Sequence, residues 1–332
     1  MKSLYSFADS DPHLNIALEY DTFNRLHELA EGVVITYINR PAVVIGKNQN
    51  LFEEVNWLNA VERGIDIVRR DSGGGAVFHD LGNLNYSFMT RDHDRALDFE
   101  YFLAPVIEFL AGLGLEARIE HDSNLMLGDH KISGNAQAVR KDRVMHHGTL
   151  LFDSDTRQLK RSLEVRRDRI DSRAVKSRES EVVNIRERLR EQGVAMTMAE
   201  FREAFEAFFI GRGFTPAEVD SARVRAAEQA CNDKYRTAEW TFGKSPKFSM
   251  VRNVTDRAGG NAATVTLQVK RGILTAFSVE AADPAAESFW TPVFARLLDQ
   301  PVGTETWYAV LDGFAELDAK RLMHRLFDLS RV

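Results

Sequence analysis

The chain has 332 residues, 44% hydrophobic and 28% charged, which is ordinary globular composition and enough length for about two domains. A net charge of −6 argues against a dedicated nucleic-acid binder, which normally carries a basic excess. No apolar run approaches the ~20 residues a membrane span needs. The start, MKSLYSFADSDPHLN, has neither the apolar stretch nor the small-residue cleavage site of a signal peptide, and the single Cys231 excludes an intrachain disulfide. The expectation is a cytoplasmic protein that binds neither membrane nor nucleic acid.

The first element expected is a helix over 13–30, with Leu14, Ala17, Leu18, Leu26 and Leu29 buried. Val33–Ile38 and Val43–Ile45 read as strands split by the turn signal Asn39-Arg40-Pro41. A short helix fits 55–63. Ile65–Arg69 then runs as a strand into Ser72-Gly73-Gly74-Gly75. Ala76–His79 and Asn83–Phe88 read as a hairpin across Asp80-Leu81-Gly82. The strand period of two places Asn83, Asn85 and Ser87 on one polar face and Leu84, Tyr86 and Phe88 on the other.

Farther on, residues 97–113 read as an apolar helix, and Lys131–Val139 and Val144–Phe152 as strands. Residues 157–190 carry twelve Lys/Arg against six Asp/Glu, a basic segment in an acidic chain. Such a segment serves either as a docking face for an acidic carrier domain or as a solvated face. Helices fit 198–212 and 216–231, and a boundary falls near 235–250. The remainder reads as a small α+β unit. Strands 263–269 and 273–279 are joined by Lys270-Arg271-Gly272. A helix near 284–298 and a terminal helix with Ala319, Leu322, Met323 and Leu326 on one face follow.

Chemistry concentrates in Arg69-Arg70-Asp71-Ser72-Gly73-Gly74-Gly75-Ala76-Val77-Phe78-His79-Asp80. Three glycines let a ligand approach the backbone, and turned N–H groups make an anion-binding concavity. Adjacent arginines suit phosphate recognition. Neither the phosphate-loop spacing nor GxGxxG is present; Gly243-Lys244-Ser245 matches only the end of the former, with Ala238 where its glycine belongs. A second stretch, Lys131-Ile-Ser-Gly-Asn-Ala-Gln, offers a lysine on a strand face shared with Ser133, Asn135 and Gln137. In the third, Met145-His146-His147-Gly148, strand geometry sends the two histidines to opposite faces, which disfavours a shared zinc. Cys231 sits in a helical pattern far from the glycines and reads as structural.

These stretches together resemble the lipoate–protein ligases of the bacterial A type over nearly the whole chain. The resemblance rests on Asn15-Ile-Ala-Leu-Glu19, Val43–Asn50, Arg69–Asn83, Lys131-Ile-Ser-Gly134 and His146–Leu151, with weaker matches at Ser177–Ile185 and Trp240–Pro246. It implies an α+β fold like the catalytic domains of class II aminoacyl-tRNA synthetases and biotin ligases, a mixed sheet with flanking helices. The catalytic domain would span 1–245 and a small α+β accessory domain 246–332. Two half-reactions are implied. Lipoate (or octanoate) attacks the α-phosphate of Mg2+-bound ATP to give an acyl-adenylate and pyrophosphate. A carrier lysine then takes the acyl group. The implied carriers are lipoyl domains of 2-oxoacid dehydrogenase E2 subunits and the glycine-cleavage H protein.

By the same resemblance Lys131 is the catalytic cation, touching both carboxyl and α-phosphate. Arg70, Gly75, Ala76, Val77, Phe78 and Asn83 hold the nucleotide with it. Gly46, Ser72, Gly73, Gly74 and His147 flank the lipoate. The chain departs from the family's Asn-Asp before the lysine: Ser123-Asn124 stands there, with Asp122 one residue upstream. Either Asp122 or Asn124 is a candidate metal ligand.

Rival readings on this fold are an acyl-carrier-dependent transferase, an amidotransferase using preformed adenylate, a biotin ligase and a non-catalytic ligand-binding regulator. A transferase of the first kind uses a cysteine in the catalytic domain, and this chain has none before Cys231. The Arg69–Asn83 motif is of the lipoate and not the biotin branch, and a regulator would have no need of Lys131 and Arg70. A DNA-binding form would need a helix-turn-helix ahead of the fold, and the N-terminus enters a strand directly.

Overall fold

Alternation in the sequence becomes strands in the computed structural model, which describes residues 2–121, 123–163, 165, 170–177 and 180–328. In chain order the strands are β1 (Lys2–Ser6), β2 (Gly32–Tyr37), β3 (Ala42–Ile45), β4 (Asp66–Arg69), β5 (Val77–His79), β6 (Asn83–Thr90), β7 (Ala117–Glu120), β8 (Asn124–Leu127), β9 (His130–Arg140), β10 (Arg143–Leu151), β11 (Ile170–Ser172), β12 (Thr215–Ala217), β13 (Phe248–Val254), β14 (Ala263–Lys270) and β15 (Ile273–Glu280). The chain forms two compact units, each discontinuous in sequence. One comprises Met1–Lys47, Val68–Lys160 and Arg178–Arg236; the other comprises Asn48–Ile67, Arg161–Ser177 and Thr237–Val332.

The first unit is built on a mixed eight-stranded sheet in the order β12–β1–β2–β6–β10–β9–β8–β7. The pairs among β12, β1 and β2 are parallel and the others antiparallel. Leu84, Tyr86 and Phe88 of β6 enter the apolar core on one face. There they meet Phe102 and Phe109 of helix Phe99–Gly112 and Phe201, Phe205 and Phe209 of helix Met198–Ile210. Spacing of four puts these last three rings on one side of their helix, and each contributes roughly 1.5–3 kcal/mol on burial. A capping box at Thr197 and Glu200 fixes where that helix starts. The opposite face of β6 is as polar as expected but is not solvated: Asn83, Asn85 and Ser87 are all buried.

The structure corrects several sequence expectations. The helix over 13–30 ends at Asn24, and a separate turn covers Leu26–Leu29. Thr22 back-bonds to the Leu18 carbonyl at 2.8 Å near that end, a contact that bends helices. The helix expected over 55–63 forms over Trp57–Glu62 behind its cap Asn56, and a separate short helix not expected from the sequence, Leu51–Glu54, precedes it behind Asn50. The helix over 216–231 starts only at Ser221, behind its cap Asp220, and Pro216 lies in β12. Strand β8 escaped notice because Asn124-Leu-Met-Leu127 is buried on both faces and does not alternate.

The expected hairpin of 76–79 with 83–88 does not form. Strand β5 pairs with β3 in a three-stranded sheet, β4–β3–β5, whereas β6 pairs with β2 and β10. The intervening turn is locked elsewhere. Asp80 accepts the N–H groups of Gly82 and Asp155, and the Gly82 carbonyl accepts those of Phe152 and Asp153. A Cβ on Gly82 would lie 2.1 Å from the Asp153 oxygen, so only glycine fits.

The second unit is α+β. Its antiparallel sheet runs β11–β13–β14–β15. The β14–β15 hairpin turns as expected through Arg271 and Gly272, both at positive φ (54° and 71°). Helices Pro284–Leu297, Thr304–Leu311 and Ala319–Phe327 belong to the same unit. Phe52, Trp57, Phe242 and Phe327 pack ring against ring in its core. Gly243 there caps a short helix, its N–H donating to the Ala238 carbonyl at 3.0 Å, which accounts for the Gly-Lys-Ser fragment without any phosphate.

Candidate active site

Two consecutive arginines after an apolar strand must bury or expose their charge, and here both are buried. Arg69 donates from Nη1 to the Gly46 and Lys47 carbonyls at 3.0 and 3.3 Å. Arg70 turns into the glycine loop. Its Nε meets Ser72 Oγ (2.9 Å) and Gly73 O (3.1 Å), Nη1 meets Val44 O (3.1 Å), and Nη2 meets Gly73 O and Gly75 O (2.6 and 2.7 Å). Burial lowers both guanidinium pKa values to about 10, so both stay charged at neutral pH.

Arg70 thus ties up the carbonyls of Gly73 and Gly75. Among the described residues the N–H groups of Gly73, Gly74 and Gly75 donate no hydrogen bond. Gly74 is exposed and sits at φ +84°. Unbonded consecutive N–H groups of this kind are what an anion-binding nest requires. Gly46 makes room for it, since a Cβ there would lie 2.2 Å from Gly74 O.

A polar chain reaches the loop from the helix Pro12–Asn24. Glu19 is buried and accepts from the Tyr37 hydroxyl (3.3 Å) and from Ser87 Oγ. Its other oxygen faces His147 Nδ1 at 3.1 Å, and His147 Nε2 faces Ser72 Oγ at 2.7 Å. Arg70 Nε donates to the same hydroxyl, so Glu19, His147 and Ser72 form one polar chain that ends on the loop. His146 takes the opposite side of β10, as expected. It lies among Phe88, Phe99 and Phe102, bonded to Gln137 and Asn135, with its pKa pushed down to about 3 by burial.

Lys131 lies near the start of β9, beside an irregularity. Leu125 pairs with Ser133 but Met126 pairs with Lys131, so β9 carries one extra residue, Ile132. A bulge of this kind re-aims side chains. Ile132 and Ser133 are consequently both buried, and strict alternation does not run from Ser133 back to Lys131. The Lys131 backbone is pinned by Glu181 O (2.8 Å) and Val183 N (3.2 Å). Its ammonium curls over Gly134, where a Cβ would be 3.0 Å from Nζ and 3.8 Å from Val77 Cγ1. Lys131 and Val77, of the strand leaving the glycine loop, therefore both border the space beside Gly134. Burial lowers the lysine pKa from 10.5 to about 8, and among the described residues its side chain has no hydrogen bond or ion pair.

The remaining sequence candidates fall as follows. Phe78 and Asn83 are buried, while Ala76 and Val77 are partly exposed. Asn83 Nδ2 bonds Asn85 at 3.0 Å, and its buried Oδ1 has no partner among the described residues. Asn124 is buried at the start of β8, and Asp122 lies outside the described residues. Cys231 is fully buried, its thiol raised to about 11 by burial. Sequence reasoning gave no role to Glu19, although Asn15 and Glu19 form a polar ridge, four apart, on an otherwise buried apolar helix. It also passed over His79. Asn39 donates to His79 Nδ1 (2.9 Å), and burial, with Arg70 and His147 nearby, lowers its pKa to about 3. The neutral ring then keeps its proton on Nε2, which has no partner among the described residues.

Comparison with known proteins places these features. Residues 11–210 match the model of the lipoyl protein ligase A/B catalytic domain. Lipoate-protein ligase LplJ of Bacillus subtilis is 38% identical over 271 residues, 79% of either chain. The crystal structure of a lipoate-protein ligase A bound with ATP superposes with a TM-score of 0.62 at 26% identity, over 74% of this chain and all (100%) of that one. The bipartite lipoate protein ligase of Thermoplasma acidophilum, studied with its E2 lipoyl domain, gives 0.62 at 25% identity, over 73% of this chain and 96% of that one. The glycine loop, the lysine over Gly134 and the mixed sheet thus belong to a member of the lipoyl protein ligase A/B family.

Proposed function

We propose that Lys131 is the acting cation of the ATP-dependent lipoate–protein ligation this chain performs, with the glycine loop as its anion cradle. The observation that carries the assignment is a largely desolvated ammonium with no hydrogen bond or ion pair among the described residues, in a unit that also holds three glycine N–H groups with no hydrogen bond. Adenylation brings a carboxylate and a triphosphate together. Their repulsion must be offset by fixed positive groups, and preorganised charge is usually the largest catalytic contribution.

In this reading the nucleotide lies along Gly75, Ala76, Val77 and Phe78, with Asn83 and Arg70 behind them. Lipoate or octanoate lies by Gly46, Ser72, Gly73, Gly74 and His147. Lys131 bridges the carboxyl oxygen and the α-phosphate and aligns them for in-line attack. The carboxylate oxygen bonds to phosphorus as pyrophosphate departs. Lys131 then polarises the mixed-anhydride carbonyl while the carrier lysine, having lost a proton, attacks it and AMP leaves. Ser72, His147 and Glu19 hold the loop during both steps.

Mg2+ is proposed as the triphosphate's counter-ion, bound mainly through phosphate and water. The orphaned buried Asn83 Oδ1 is an oxygen donor of the type it takes, and Asn124 offers a second amide oxygen. The carriers proposed are E2 lipoyl domains and, in addition, the glycine-cleavage H protein. Functional boundaries at 1–245 and 246–332 are proposed for catalytic and accessory parts. The proposed compartment is the cytoplasm, in keeping with a composition that uses no disulfide. The test mixes the purified chain with ATP, lipoate and an E2 lipoyl domain. AMP release matched by the mass gain of one lipoyl group on the domain is expected. Transfer only from synthetic lipoyl-AMP, with none from ATP and lipoate, would contradict adenylation.

A further inference from the structure

Arg70, His147 and Lys47 hold the glycine loop from inside; the Lys47 N–H donates to the Ser72 carbonyl at 2.8 Å. The residue that enters the loop, Asp71, is held from another direction. Lys234 Nζ lies 2.6 and 2.7 Å from its two carboxylate oxygens, and the Tyr235 hydroxyl donates to Oδ2 at 2.5 Å. Both donors come from Cys231–Tyr235, a π-helical turn that continues helix Ser221–Ala230. Turns of this kind are rare and are found frequently at functional sites.

The turn is itself tied down. The Lys234 ammonium lies over the rings of Tyr20 and Tyr235, 5.9 and 4.6 Å from their centroids. Arg236 donates to Asp11, the N-cap of the helix that carries Tyr20 and Glu19, at 2.7 Å. One helix therefore braces the loop from both sides, through Glu19 and His147 on one and through Tyr20 and Lys234 on the other. Both Asp71 donors lie beyond residue 210, where the match to the family's catalytic-domain model ends.

We propose that Asp71, Lys234 and Tyr235 form a clasp that sets the glycine loop in register for the acyl substrate before that substrate arrives. They are positioning residues, and the proposal rests on the reading that the loop receives lipoate. Asp71 adjoins Ser72, so a shift of one moves the other off His147 and draws the Gly73 carbonyl away from Arg70. Contacts between a carboxylate and an ammonium or hydroxyl are charge-assisted and stronger than neutral ones. The clasp touches neither Lys131 nor its pinning backbone. Its loss accordingly weakens lipoate binding and spares the chemical step, which raises KM with little change in kcat.

The full-length chain is assayed by lipoate-dependent ATP–pyrophosphate exchange, with Gly46→Ala run alongside. Asp71→Asn and Lys234→Met should each raise the KM for lipoate about tenfold, the scale of ~1.4 kcal/mol, with kcat within about threefold. The double variant should be no worse than either single one, because both break one contact. Lys234→Arg should recover most of the loss. If Asp71→Asn does not fold, Tyr235→Phe, which keeps the ring, should still raise KM about threefold by losing one hydrogen bond. Unchanged KM with lowered Tm, or additive losses in the double variant, would overturn the clasp while leaving ligation intact. An unchanged KM for lipoate in Gly46→Ala, whose methyl must displace the loop, would instead overturn the reading on which the clasp rests.

Discussion

The arginine pair is buried and Lys131 is partly buried in the same unit, but they spend their charge differently. Arg70 gives every nitrogen of its guanidinium to its own chain, reaching Val44, Ser72, Gly73 and Gly75. Lys131 has no internal partner among the described residues and has its pKa depressed to about 8. A satisfied buried charge shapes the protein; an unsatisfied one costs stability and persists where an incoming anion completes it. On the proposed reading, Arg70 builds the site and Lys131 acts in it.

Removing Arg70 is the hardest way to break that comparison. Arg70→Met strands carbonyls at Val44, Gly73 and Gly75, and a buried acceptor left unsatisfied costs about 1–3 kcal/mol. Circular dichroism melts should show a large fall in Tm together with lost exchange activity. An unchanged Tm would place Arg70 with Lys131 instead. Gly46→Ala comes next: its new methyl meets Gly74 O at 2.2 Å, so the loop must shift. Exchange should fall about tenfold or more, by misplacement of the cradle, with a smaller fall in Tm. The mildest perturbation is pH. The acting form of Lys131 is protonated, so kcat/KM for lipoate should decline as pH rises through about 8. A profile flat to pH 9.5 would remove the lysine's charge from the mechanism.

Lys131 also makes a stability prediction of opposite sign. Its folded pKa lies below the unfolded value of 10.5, so between about 8 and 10.5 the unfolded chain binds more protons and stability rises with pH. Below that window the buried charge is a standing cost. At pH 7, Lys131→Met should therefore melt no lower than wild type, and higher if the methionine packs over Gly134.

Much of this site was legible in one dimension. Three adjacent glycines behind two arginines need a special backbone and a buried charge, and Lys131-Ile-Ser-Gly134 puts the lysine three residues before the glycine whose missing Cβ gives it room. The polar face of 83–88 followed from alternation alone. What escaped depends on distance in space. Asp71 meets Lys234, 163 residues away, and Glu19 meets His147 across 128. No local period records such pairs. The hairpin at Asp80–Gly82 misled because its turn chemistry was genuine, yet tertiary locking to Asp153 and Asp155 sent its two arms into different sheets. Strand β8 was hidden by double burial, and the bulge at Ile132 by the regularity assumed for β9.

The most direct measurement is lipoate-dependent ATP–pyrophosphate exchange by wild type and Lys131→Ala, each with its Tm recorded at pH 7. The account predicts exchange lowered by about a hundredfold or more, the scale of a lost transition-state contact, in a variant that melts no lower than wild type. Exchange within about threefold of wild type in Lys131→Ala, the scale of a spectator contact, or loss of exchange accompanied by a collapsed Tm, would contradict it.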